Sequence, residues 1–293
     1  MGCLIKRRLR GSYRRILLIV LLPVFLMLCG CGSKEKDMVY SADGVAISYE
    51  VQGAGEPALV FVHGWCCDRS YWKYQVPEFS KRHTVVTIDL AGHGRSGLGR
   101  GDWTIEAFGQ DVKAVVEKLK LDNAILIGHS MGGMVIIEAA RQMPERVTGL
   151  IGVDTYQDFE ARYSREALDG FLMPFRENFA EGTRAYVTGL FPDDAEANLV
   201  ERIAMDVSSA PPEVGISSLE NYFDYDPKEA LKEVRVPIRC INSDMFPLYV
   251  ENNRRHALSF GVKFMSGVGH FLMMEDAETF NRLLQETINE LSK

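Results

Sequence analysis

Short apolar runs recur along this chain, separated by longer stretches in which apolar residues return every three or four positions. Residues 45–51, 58–62, 85–90, 124–127 and 147–153 read as strands, with the turn-rich GAGEP at 53–57 splitting the first two. After Thr104, which is placed to cap a helix, Phe108, Val112, Val115, Val116 and Leu119 fall on one helical face, and 131–143 reads as a second helix. Strands alternating with helices predict an α/β fold whose mostly parallel sheet is covered on both faces. The pattern breaks at 156–226, where no strand is legible and Leu168, Phe171, Leu172, Phe175 and Phe179 make aromatic helical faces. It resumes with strands at 238–242 and 262–265 and a helix at 277–291. The expected organisation is therefore a sheet core at 38–155 and 227–293, with a helical cap at 156–226 whose aromatics mostly pack against one another.

The first 30 residues have a different character. Six basic residues and no acid precede or enter an apolar run at 16–29, about 14 residues where a spanning helix needs roughly 20. This predicts an export signal peptide at 1–30. Leu28-Cys29-Gly30-Cys31 resembles the bacterial lipobox, which makes Cys31 the expected lipidation site, residues 31–37 a short tether, and the cell envelope the expected location, with the protein held to a membrane by its N-terminal lipid. Without the six cations of the signal, 33 basic residues fall to 27 against 40 acidic ones, a net charge of −13. So acidic a body disfavours nucleic acid and electrostatic docking on anionic lipid. Of the six cysteines, Cys66, Cys67 and Cys240 belong to the body. They are odd in number, lack metal-ligand spacing and are expected as unpaired small residues, a vicinal Cys66–Cys67 disulfide being the minority arrangement. No metal is called for.

Chemistry concentrates in GHSMGG at 128–133, set between a strand and a helix. A sharp strand-to-helix turn forces its central residue into strained backbone and crowds its neighbours, so glycines at 128 and 132 are sterically demanded and Ser130 is lifted above the sheet edge as a nucleophile. The following helix start favours negative charge there. A serine nucleophile needs a base, and the base needs an orienting acid. His270, on the turn after the last strand, is the expected base. His129, His63 and His93 are expected in structural roles, and His83 and His256 at the surface. The expected acid is Asp244, just past the strand at 238–242, and Asp154, which ends the preceding strand, is the alternative. Backbone amides of Met131 and Trp65 are the candidate oxyanion donors, with Cys66 near the same pocket.

Taken together, His63-Gly64-Trp65, Asp89-Leu-Ala-Gly92-His93-Gly94-Arg95-Ser96, GHSMGG, Asp244 and Gly269-His270-Phe271 resemble, in order, the motifs of the α/β-hydrolase superfamily across residues 40–290. The resemblance implies an eight-stranded α/β-hydrolase sheet with a helical cap after strand six. It also implies a serine esterase acting on a small-molecule carboxylic ester through an acyl-enzyme, with no cofactor. Carbon–carbon bond hydrolases and cofactor-free perhydrolases share the elbow and cap and remain alternatives, as does a non-catalytic ligand-binding lipoprotein. Gly92 to Gly97 also spells G-x-G-x-x-G, but the next helix is expected only near Thr104, which speaks against a dinucleotide site.

Overall fold

The computed structural model describes residues 37–292. The expected signal peptide, the lipid on Cys31 and the tether up to residue 36 lie outside the described residues.

Eight strands form one sheet: β1 (Met38–Tyr40), β2 (Ala46–Gln52), β3 (Ala58–Val62), β4 (Val85–Asp89), β5 (Ala124–His129), β6 (Val147–Val153), β7 (Ile238–Ser243) and β8 (Phe260–Met265). Their order is β1-β2-β4-β3-β5-β6-β7-β8. The pairs β1/β2 and β2/β4 are antiparallel, and every other pair is parallel. Every residue of β3, β4 and β5 is buried, which is why these strands read as unbroken apolar runs instead of alternating ones. Strand β1 has no counterpart in the sequence pattern. It is three residues long, exposes Met38 and Tyr40, and exists by pairing with β2, Val39 opposite Ile47.

The helices are α1 (Val76–Phe79), α2 (Ile105–Leu119), α3 (Met131–Gln142), α4 (Arg165–Glu177), α5 (Phe179–Thr188), α6 (Ala197–Ser208), α7 (Pro212–Asp224), α8 (Pro227–Leu231), α9 (Val250–His256), α10 (Leu272–Glu275) and α11 (Ala277–Leu291). Helix α2 begins where expected, because the Thr104 hydroxyl accepts from the Ala107 amide at 3.1 Å. It buries Phe108, Val112, Val115 and Val116, each contributing about 1.5–3 kcal/mol of transfer free energy.

Helices α4 to α7 lie between β6 and β7, in the segment expected to form the cap. Phe171, Phe175 and Tyr186 meet there as a cluster with centroids 5.5–5.7 Å apart. Among the contacts that fasten this segment to the sheet domain are four hydrogen bonds. The Trp65 indole Nε1–H donates to the Gly215 carbonyl at 2.8 Å, and Asn221 donates to Asp102 at 2.9 Å. The Tyr71 hydroxyl donates to Asp206 at 2.7 Å, and the His270 amide donates to the Leu190 carbonyl at 2.9 Å.

Candidate active site

The glycines around Ser130 have a steric cause. A Cβ on Gly128 would sit 2.3 Å from the Gly132 carbonyl oxygen, and one on Gly132 would sit 2.5 Å from that of His63. Only hydrogen atoms fit where β5 turns into α3. Ser130 itself holds φ 54° and ψ −120°, a left-handed conformation that an L-residue adopts at a cost of order 1–3 kcal/mol. Neighbouring elements hold it there. The Ser130 amide donates to Val153 of β6 at 3.0 Å, and its carbonyl accepts from the Thr155 hydroxyl at 2.9 Å. Of the non-glycine residues with positive φ, Cys66, Ser130, Asp154 and Tyr156 all flank the β3, β5 and β6 ends, while Lys120 ends α2. Backbone strain is thus gathered at one end of the sheet.

His270 follows β8, and its Nδ1 lies 2.6 Å from Asp154 Oδ2. Asp154 is 1% exposed, and its other oxygen accepts the Ser243 amide at 2.8 Å. The expected acid, Asp244, stands elsewhere. It is exposed and accepts from the Ser266 hydroxyl, and its amide bonds to Met265. The reason is local: β7 offers Asp154 an inward-facing backbone amide at Ser243, and one residue later the chain has turned toward the end of β8. The histidine partner is the alternative carboxylate, in the same chain order.

The His270 loop is held by Glu275, which sequence reasoning missed, and by His129, in the structural role expected of it. Glu275, at the end of α10, accepts the amides of Gly269 at 2.8 Å and Phe271 at 3.0 Å, the two neighbours of His270. Burial raises its carboxyl above the usual range against those two amides. An acid five residues after His270, ahead of a helix, was the available signal. His129 is the second support. Its Nε2 lies 2.9 Å from the His270 carbonyl, and burial pushes its pKa well below the ordinary value.

The other histidines are structural. His63 Nε2 accepts the Leu90 amide at 3.0 Å, which leaves Nδ1–H to donate to the Gly64 carbonyl at 2.8 Å, and burial holds its pKa down to about 4. His93 lies tilted with its centroid 5.0 Å from that of His63, and burial pushes its pKa down to about 3. His256 pairs with Glu160 at 2.8 Å. His83, expected at the surface, is buried against the Pro57 carbonyl.

Ser130, His270, Asp154, Met131 and Trp65 line one cavity of 450 Å³. The loop carrying Trp65 passes close to Ser130, since a Cβ on Gly64 would lie 3.2 Å from Ser130 Cβ. Cys67, not Cys66, faces the cavity, with its thiol donating to the Trp65 carbonyl at 3.3 Å. All three body cysteines are free and buried, and burial pushes their thiols up, away from thiolate reactivity. Among the described residues no group of three or more His, Cys, Asp or Glu side chains is placed to hold a metal ion. In the G-x-G-x-x-G stretch, Gly94 is packed on Asp89, so closely that a Cβ there would lie 2.5 Å from the carboxyl carbon, and α2 starts only at Ile105.

The profile of the Alpha/beta hydrolase family matches residues 59–283. A karrikin insensitive 2 receptor of Petunia hybrida is 26% identical over 240 residues, covering 77% of this chain and 89% of the relative. The 3-oxoadipate enol-lactonase 2 of Acinetobacter baylyi is 29% identical over 220 residues, covering 73% of this chain and 80% of the relative. Among solved structures, a thermophilic esterase from Thermogutta terrifontis superposes with a TM-score of 0.77 at 24% identity, over 88% of this chain and all of that one.

Proposed function

The chain belongs to the Alpha/beta hydrolase family, and on that premise we propose that it cleaves carboxylic esters, open or cyclic, through an acyl-enzyme on Ser130. The observation that carries this reading is the His270–Asp154 pair opening onto the cavity that Ser130 also lines. His270 Nε2 takes the Ser130 hydroxyl proton as Oγ attacks the carbonyl carbon. The resulting oxyanion is received by the Trp65 and Met131 amides, an interaction whose loss typically costs about 10²- to 10³-fold in rate per donor. Collapse expels the alcohol, which leaves with the proton from His270. Water, deprotonated by the same nitrogen, then attacks the acyl carbon and releases the acid and free Ser130. Asp154 keeps the imidazole in the tautomer with hydrogen on Nδ1 and steadies the imidazolium.

The lactonase relative supports including cyclic esters. The receptor relative supports a second reading, ligand binding without useful turnover. We further propose, from the first 31 residues, that the enzyme works as a lipoprotein anchored at the cell envelope through Cys31.

The deciding experiment compares the body from Ser33 onward with its Ser130→Ala variant on activated esters of increasing acyl length. Turnover by the parent and a loss of at least about 10³-fold in the variant are expected. Equal inactivity of both on every ester, with retained ligand binding, sinks the esterase reading in favour of the receptor-like one.

A further inference from the structure

The lining of the cavity that Ser130 opens onto is defined by what it lacks. Among the described residues none of its lining side chains is Lys or Arg, and its only carboxylate, Asp154, is already engaged by His270 and the Ser243 amide. A carboxylate or phosphate on the substrate would leave water, find no counter-ion and face that buried negative charge.

In place of charges the wall carries aromatic rings. Trp65, Tyr163, Tyr186, Tyr222 and Phe223 all line the cavity. They are locked edge to face: Tyr186 lies 6.1 Å from Trp65, while Phe223 lies 5.2 Å from both Tyr163 and Tyr222. Such a wall is stiff and matches the flat faces of an aromatic or unsaturated ring.

The hydroxyls on this wall are unspent. Elsewhere Tyr71 donates to Asp206, Tyr156 to the Gly133 carbonyl at 2.7 Å, and the half-buried Tyr225 to Glu138 at 3.1 Å. The hydroxyls of the half-buried Tyr186 and Tyr222 have no hydrogen-bond partner among the described residues, and Tyr163, exposed at the rim, has none either. Burial raises the Tyr186 phenol to about 12 and that of Tyr222 higher still. Both therefore stay neutral O–H donors at any working pH.

We infer that the pocket selects uncharged esters or lactones bearing an aromatic or unsaturated ring and a neutral acceptor oxygen, which the Tyr186 and Tyr222 hydroxyls bind while carboxylate-bearing analogues are rejected. This rests on the ester-hydrolase reading. It goes beyond it by naming the substrate class and the residues that choose it.

The test is kcat/KM, followed by proton release, for the methyl esters of phenylacetic, 4-methoxyphenylacetic and 4-carboxyphenylacetic acid. The methoxy ester should exceed the parent by about 3- to 10-fold, the yield of one neutral hydrogen bond. The carboxylate ester should fall at least about 10-fold below the parent, as an unpaired charge set against an uncharged, aromatic wall demands. In the Tyr186→Phe/Tyr222→Phe double variant the methoxy-to-parent ratio should drop to about one. A carboxylate ester handled as well as the methoxy ester, or a double variant that keeps the methoxy preference, overturns the inference. The same three esters titrated calorimetrically into Ser130→Ala read the selectivity without turnover. Failure of hydrolysis and failure of selection are thereby separated.

Discussion

Two aspartates stand at the ends of adjacent parallel strands, and their fates differ. Asp154 leaves β6 with φ 45°, is buried, and is gripped by the Ser243 amide and His270. Asp244 leaves β7 exposed to solvent and bonded to a serine of the loop after β8. Both follow an apolar strand, and both precede His270 in the chain. What separates them is the neighbour: only the β6 end has a further strand beside it whose backbone amide points inward at the height of the carboxylate. A carboxylate at a strand end comes to partner a histidine when the adjacent strand desolvates it and supplies a donor, not by its place in the chain.

This comparison can be broken most sharply at Asp154. Asp154→Asn should lower kcat about 10³- to 10⁴-fold, because the amide favours the wrong imidazole tautomer and cannot balance the imidazolium. Steady-state kinetics on an activated ester, with circular dichroism to verify the fold, decides it. A loss below tenfold would return the acid role to another residue.

Glu275→Gln should have an intermediate effect. It weakens the grip on the amides beside His270 without touching the imidazole, so about a tenfold loss in kcat is expected, with KM little changed. An equal fall in Asp154→Asn and Glu275→Gln would mean the loop, not the acid, limits the reaction.

Burial makes a second, thermodynamic prediction at the end of β3. His63 stays neutral down to about pH 4, whereas in the unfolded chain it takes a proton near its ordinary 6.5. Between those values the unfolded state binds more protons, so this contribution to stability is intact above about pH 6.5 and is lost as pH falls toward 4. His93 adds the same sign. The thermal midpoint should fall between about pH 7.5 and about pH 5.5, before most carboxylates titrate, and a flat profile would contradict the assigned neutral states.

Asp244→Asn should do least, changing kcat/KM by less than about twofold. An effect near that of Asp154→Asn would mean that the two strand ends exchange roles during turnover.

What the sequence shows plainly is whatever one segment enforces alone. The elbow glycines, the Thr104 cap and the buried β3 and β5 runs each carry their cause within a few residues. Met38–Tyr40 is a strand only because β2 lies beside it, so nothing in MVY announced it. The choice between Asp154 and Asp244 depended on Ser243, a residue that gains meaning only once β6 and β7 are paired. Glu275 left only a weak trace, an acid spaced five residues after His270, since its partners are backbone amides of a loop whose path the helix α10 sets. The unspent tyrosine hydroxyls come from two separate helices and the segment before α4, and converge only in the folded cavity.

Trp65 ties two inheritances together. Its amide is the one we propose for the oxyanion, while its indole is bolted to Gly215 of α7, where any larger residue would collide with Phe179 at 2.4 Å. A lineage exploring new substrates by redrawing the helices above the sheet is therefore not free to exchange them wholesale. A grafted roof that fails to present this carbonyl would loosen the loop proposed to receive the oxyanion. Diversification, whether natural or in the laboratory, has to travel with Trp65 and Gly215 as one unit and vary the tyrosine-bearing faces around them.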